Sequence, residues 1–512
     1  MLCGRRLPMD THHIKHAILF LALAVTLAIP FLLRPKGEAA PRDARTLVII
    51  SPHNEAVRRE FETAFRRWHA RQFGQAVTID WRNIGGTSEI VRYLDSEYES
   101  AQRVSRPGIG IDLLFGGGQY DHARQAAKGH TEPCGLRIRH PEWLTDTIIP
   151  RQFSGEQFYD PEDRWYGCCL TSFGICYNDD VLRACGIDRA PRQWIDLTDF
   201  RYFRQVALAD PTKSGSIAKA FEMLIQEQMM TELSVRHQAP SEASGEALAA
   251  GWRRALSVVR QIAANARYFT DSAGKVPTDV SLGDAAAGMC IDYYGRFESE
   301  TIAQKEGSTR MHYLTPINGS SLSVDPISML RGAPHRELAE RFIDFCLSVE
   351  GQQVWDYRVG EPGGPVRYAL RRLPIRRDLY RPEHLQHMSD SEAMPYEKSG
   401  QFTYHPEWTG SLFNVMRVLI RAMCLDTHAE LAAAWEAIHR AGGPAACPDA
   451  MAALTVLPAS AEYTEAQGTT SRRIGNKLEE VRLAREWVVF FRAQYQKAKL
   501  LADSQSNIKP RN

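Results

Sequence analysis

The stretch that most restricts the fold is residues 47–65, LVIISPHNEAVRREFETAF. Leu47, Val48, Ile49 and Ile50 form a short apolar run, as a strand covered on both faces requires. Ser51, Pro52, His53 and Asn54 break it. Val57, Phe61, Ala64, Phe65 and Trp68 then recur at helical spacing. A polar turn between a parallel strand and a helix N-terminus is where open α/β sheets hold ligands. The layout recurs along the chain, so the sequence predicts an α/β fold with one ligand cleft built by many loops.

The recurrences carry the candidate binding residues. Residues 76–81 (AVTIDW) read as a second strand, followed by Gly85, Gly86, Thr87 and Ser88 before a helix. The glycines let backbone approach a bound group, and the hydroxyls cap the helix or donate to a ligand. Residues 109–115 read as a third strand ending in Gly116, Gly117 and Gly118, which leave no side chain in a ligand's way or form a flexible turn. Residues 206–209 lead to Lys213, Ser214, Gly215 and Ser216 at the start of an apolar helix, a ready anion cradle. Residues 285–291 lead to Tyr293 and Tyr294. Two adjacent phenols can stack on a ligand, donate hydrogen bonds or bind a hard ferric ion as phenolates; otherwise they are an ordinary strand-end pair.

Several function classes are excluded. Formal net charge is +1, from 62 basic and 61 acidic side chains, so nothing supports a nucleic-acid partner. No GxGxxG, Walker A, GxSxG or HExxH pattern occurs, and Cys168-Cys169 has no His near it in sequence. The chain reads as a non-enzyme. The ten cysteines form no CxxC pair and read as small buried hydrophobes, with one or two disulfides open to an exported chain.

The ends differ from the middle. Residues 17–33 form a charge-free apolar run of 17 residues flanked by basic ones, read as a signal peptide or N-terminal membrane anchor. Residues 37–39 offer a cleavage site, and 34–45 read as a linker. Residues 381–512 read as a mostly helical extension, with a last long helix near 473–502.

In order and spacing these segments resemble bacterial extracellular solute-binding proteins of ABC importers, in the branch that includes ferric-iron-binding proteins. The resemblance rests on residues 47–65, IGIDLLFGGG, WYGCCLTSFGICYNDDVL, ALADPTKSGSIAKAFEMLIQ, AAAGMCIDYYG and residues 325–352. It implies a two-lobed, periplasmic-binding-protein-like fold of type II that closes about a hinge. Residues 46–170, completed by 318–380, would form lobe 1 and 171–317 lobe 2. The extension would pack on lobe 1. The cleft would use His53, Gly86, Thr87, Ser88, Gly117, Gly118, Ser172, Ser214, Gly215, Ser216, Tyr293 and Tyr294. Ferric members carry a His-acid-Ala turn and a tyrosine pair, matched by His53, Tyr293 and Tyr294, so these three would ligate Fe3+ if iron is the cargo. Gly116–Gly118 stand where many ferric members have a ligating Glu, which leaves room for an organic or phosphate-bearing anion. No cofactor is implied beyond that cargo. The implied partner is an ABC permease, served by a monomer in the periplasm or on the outer face of the cytoplasmic membrane. A membrane-anchored sensor module signalling to a membrane partner is the alternative.

Overall fold

A computed structural model of the chain describes residues 11–32, 44–307, 309–398 and 402–508. Helix α1 spans Thr11–Leu32, and its Leu19, Phe20, Leu21 and Leu27 are exposed rather than part of a core. Among the described residues no helix is long and apolar enough to cross a membrane. The cleavage-site candidate, Cys3 and linker residues 34–43 lie outside the described residues.

The first lobe begins with β1 (Arg45–Ile50), α2 (Glu55–Phe73), β2 (Val77–Arg82), α3 (Thr87–Arg103), β3 (Leu113–Phe115) and α4 (Gln119–Ala127). Leu47, Ile49 and Ile50 of β1 are buried, as are Val57, Phe61 and Phe65 of α2, the stripe its spacing predicts. Strand β1 pairs in parallel with both β2 and β3, so all three polar turns emerge at one end of the sheet. Strand β4 (Tyr166–Thr171) turns at Ser172 into β5 (Phe173–Asn178), which belongs to a second sheet.

That second lobe holds β6 (Val206–Ala209), α5 (Gly215–Val235), α6 (Gly245–Ala264), β7 (Ala266–Thr270), β8 (Ala287–Ile291), α7 (Asp292–Glu306) and β9 (Met311–Leu314). Strand β10 (Ser323–Met329) returns to the first sheet, followed by α8 (Arg336–Leu347) and α9 (Val349–Asp356). The sheet orders are β2-β1-β3-β10-β4 and β9-β5-β8-β6-β7. The chain therefore crosses between lobes near Ser172 and again between β9 and β10. The tyrosine pair sits in the first turn of α7 rather than at a strand end.

The extension forms α10 (Phe413–Ile420), α11 (His428–Arg440), α12 (Pro448–Thr455) and α13 (Lys477–Ile508). Its Trp435, Trp487, Phe491 and Tyr495 join the core that holds Phe221, Trp252 and Leu256 of α5 and α6. Residues 402–508 thus pack on the second lobe, correcting the expectation that they cover the first. The cause is visible in α5, which is buried on every side, Phe221, Glu222, Leu224 and Gln226 included. A helix covered all round needs a second layer of protein. Arg260, fully buried on α6, ties the layers by donating to the carbonyls of Leu454 at 2.9 Å and Val456 at 3.0 Å. Before the extension proper, Ala393 and Tyr396 stay with the first lobe's core. The nine described cysteines are unpaired, and all but Cys185 are buried, as read from their apolar surroundings.

Candidate functional site

Between the lobes lies a cavity of about 440 Å³. Of the residues read from sequence, His53, Gly86, Thr87, Gly117, Gly118, Ser214, Gly215, Ser216, Tyr293 and Tyr294 line it. Ser88 and Ser172 do not. The Ser88 hydroxyl accepts from Arg417 on α10 instead. Ser172 marks the crossing, with its hydroxyl 3.2 Å from Thr315 Oγ1 and 3.3 Å from Tyr313 Oη.

Three helix N-termini converge on this space. Gly86 precedes α3 and Gly118 precedes α4, and neither N-terminus is capped by a side chain. At α5 the Ser214 hydroxyl accepts from Ile217 N at 3.3 Å and lies 3.0 Å from Ser216 Oγ. First-turn N–H groups have no partner inside their helix, and the helix dipole adds a partial positive charge. Two of these ends belong to the first lobe and one to the second, so one small anion can bridge the lobes. Arg58 and Lys213 also line the cavity and make no ion pair with another described residue. Helix α7 differs: Asp292 N donates to Ser172 O at 3.0 Å and Tyr293 N to the Asp292 carboxylate at 2.8 Å, so its start is already satisfied.

Behind the tyrosines sits a buried charge cluster. Arg372 has no exposed surface; it pairs with Asp325 and donates to His53 Nε2 at 3.2 Å. Its guanidinium lies 4.4 Å from the Tyr293 ring centre. Burial keeps the His53 imidazole below its ordinary range despite the nearby Asp325 carboxylate. Burial, the largest single influence, would raise Asp325, but the Arg372 guanidinium and the His53 imidazole together outweigh it and hold that carboxyl low. Burial pushes the Tyr293 and Tyr294 phenols up. A ferric ion here would need phenolates and a free imidazole lone pair. The phenols resist ionisation, the lone pair is spent on Arg372, and a fixed cation stands behind them. Among the described residues no group of three or more His, Cys, Asp or Glu could hold a metal ion.

Sequence reasoning missed several walls. Tyr404 and Phe413 come from the extension, and nothing in their neighbourhood of the sequence ties them to the cleft. The Tyr404 ring covers Lys219 Nζ at 3.6 Å, while Lys219 itself bridges the buried Glu156 and Glu222, each at 2.9 Å. Phe413 lies 4.6 Å, centre to centre, from Tyr120 of the first lobe, and Asn414 donates to the Tyr120 hydroxyl at 3.1 Å. Asp121 was legible only as a carboxylate in the first turn after the three glycines.

Two α/β lobes with a lined cavity at their two crossings define the class: a two-lobed α/β fold with an interlobe cleft. Residues 142–369 match the family of bacterial extracellular solute-binding proteins, so the resemblance read from the sequence holds over that stretch. An uncharacterized protein of Haemophilus influenzae is 23% identical over 243 residues, which span 48% of this chain and 60% of that protein, less than two thirds of its length. The periplasmic binding protein AfuA from Actinobacillus pleuropneumoniae, solved with exogenous fructose-6-phosphate bound, is 20% identical with a TM-score of 0.46, over 61% of this chain and 81% of its own. The substrate binding protein of an ABC transporter from Agrobacterium tumefaciens is 12% identical with a TM-score of 0.50, over 73% of this chain and 94% of its own. At 12% identity the likeness to the Agrobacterium protein speaks for the fold alone.

Proposed function

We propose that this protein captures a small organic anion, bearing a phosphate or carboxylate group, outside the cytoplasmic membrane and delivers it to an ABC permease. The observation that carries the reading is the convergence of three helix N-termini from both lobes on one cavity. An anion held by both lobes favours their closure, because it gains contacts that an open cleft cannot offer. Arg58 and Lys213 add charge of the right sign. Thr87, Ser214 and Ser216 supply hydroxyl donors, and Tyr293 and Tyr294 serve as neutral stacking or hydrogen-bonding walls. Iron as cargo is the weaker reading, because Arg372 occupies the His53 lone pair and stacks on Tyr293.

Thermal unfolding with a panel of phosphate esters and carboxylates tests this. A ligand at 100 times its dissociation constant stabilises the folded state by about 2.7 kcal/mol. A raised Tm with at least one organic anion, and none with ferric chloride alone, is expected. Stabilisation by ferric ion alone overturns the reading.

A further inference from the structure

Asp121 stands among the three helix N-termini, its carboxylate without a hydrogen-bond or ion-pair partner among the described residues. It lines the cavity and is 4% exposed. A methyl group built on Gly215 would lie 3.4 Å from Asp121 Oδ2, and one built on Gly118 3.6 Å from the same oxygen. The carboxylate therefore reaches the gap between the α4 and α5 N-termini, where Gly215 also approaches Thr87 of α3. An acid in the first turn suits a helix dipole, and this one meets the cavity rather than a protein donor. The charges acting on it are Arg417 on α10, Arg124 on its own helix and Asp95 on α3; burial itself favours the protonated carboxyl. Lys213 stands at the approach to α5.

We propose that Asp121 selects the bound anion by sharing one proton with it, so that the site takes anions able to carry a proton, phosphate or phosphonate monoesters, over anions that cannot, such as sulfate esters. The inference rests on the anion reading above and deepens it. The N-termini attract negative charge, while an ionised Asp121 repels any anion placed beside it. One proton between Asp121 Oδ2 and a ligand oxygen removes that repulsion and supplies the missing hydrogen bond. A phosphate monoester has its second pKa near 6. Its dianion is thus basic enough to take up one proton from solvent on binding and to donate it to Asp121 Oδ2. A sulfate ester has no such proton to offer at neutral pH.

The experiment is titration calorimetry of the whole chain with a hexose 6-phosphate and the matching hexose 6-sulfate. Each is run at pH 8 in two buffers of different ionisation enthalpy, which reports protons taken up. Wild type should bind the phosphate at least tenfold more tightly than the sulfate, with uptake approaching one proton. Asp121→Asn should lose the uptake and narrow the ratio by tenfold or more. Equal affinity for the two esters, or phosphate binding without proton uptake, overturns the proposal even if Asp121→Asn does not fold. If carboxylates bind and neither ester does, the anion reading stands and this selectivity falls. If no phosphate, sulfate or carboxylate binds wild type, both fall together.

Discussion

Gly116 has no side chain because the His53 imidazole fills the place one would take: a Cβ there would lie 2.5 Å from His53 Cε1. The residue also has φ +91°, a conformation that costs an L side chain. Gly116→Ala should therefore destabilise by about 2–4 kcal/mol, combining backbone strain with a displaced ring. Urea unfolding measures it, and an unchanged midpoint would mean the loop yields freely.

The tyrosine pair makes a second prediction. Ferric titration should produce no red-purple tyrosinate band, since both phenols are held neutral by burial. Tyr294→Phe should cost at most about 1.5 kcal/mol of affinity for an organic anion, one neutral hydrogen bond. A band that vanishes in the double Phe variant would make iron the cargo.

Arg417 links the lobes from the extension. It donates to Ser88 in the first lobe and to the carbonyls of Pro211 at 2.8 Å and Thr212 at 3.0 Å in the second. Arg417→Ala should leave the fold intact and speed ligand release about tenfold, the kinetic equivalent of about 1.4 kcal/mol. Stopped-flow dissociation reads this directly; an unchanged rate would leave Arg417 a local strut of the second lobe.

Acid should weaken the first lobe through His122. Its Nδ1 lies 2.6 Å from Ser328 Oγ and its Nε2 3.1 Å from Gly116 O, and burial pushes it down to about 4. Above its ordinary 6.5 neither folded nor unfolded chain binds the proton, and this stability is complete. Between 6.5 and about 4 the unfolded chain alone is protonated, so stability falls as pH falls, by at most roughly 3 kcal/mol. His122→Gln should be less stable at pH 7 but lose less between pH 7 and 4.5. Parallel Tm–pH curves would remove His122 from the effect.

Removing residues 402–512 should not release a working two-lobed core. Trp252, Phe221 and Leu256 would lose the layer formed by Trp435, Phe491 and Tyr495. Large exposed apolar patches of that kind aggregate. The truncated chain should be insoluble or bind a hydrophobic dye strongly; a soluble, cooperatively unfolding product would make the extension an independent domain.

The legible features shared a local cause. The β1–α2 unit shows its strand as an apolar run and its helix as a 3.6-residue stripe, both set by near neighbours in sequence. Gly86, Thr87, Ser214 and Gly215 were legible because helix starts carry their own chemistry. Ser88 and Ser172 misled for the same reason: a hydroxyl at a loop is equally suited to a ligand, an arginine or another hydroxyl. Which one it meets depends on parts of the chain more than 140 residues away for Ser172 and more than 300 for Ser88.

By itself, then, the sequence determined the alternation of strands and helices and the end of each sheet at which the polar turns collect, because hydrophobic period and helix capping act over a few residues. Tertiary structure alone decided which lobe the extension covers, that Tyr404 and Phe413 wall the cavity, that Arg372 stands behind Tyr293, and that Asp121 lies unpaired among three helix ends. Those relationships arise from packing between segments far apart in the chain, and no short-range pattern records which distant surface a side chain will meet.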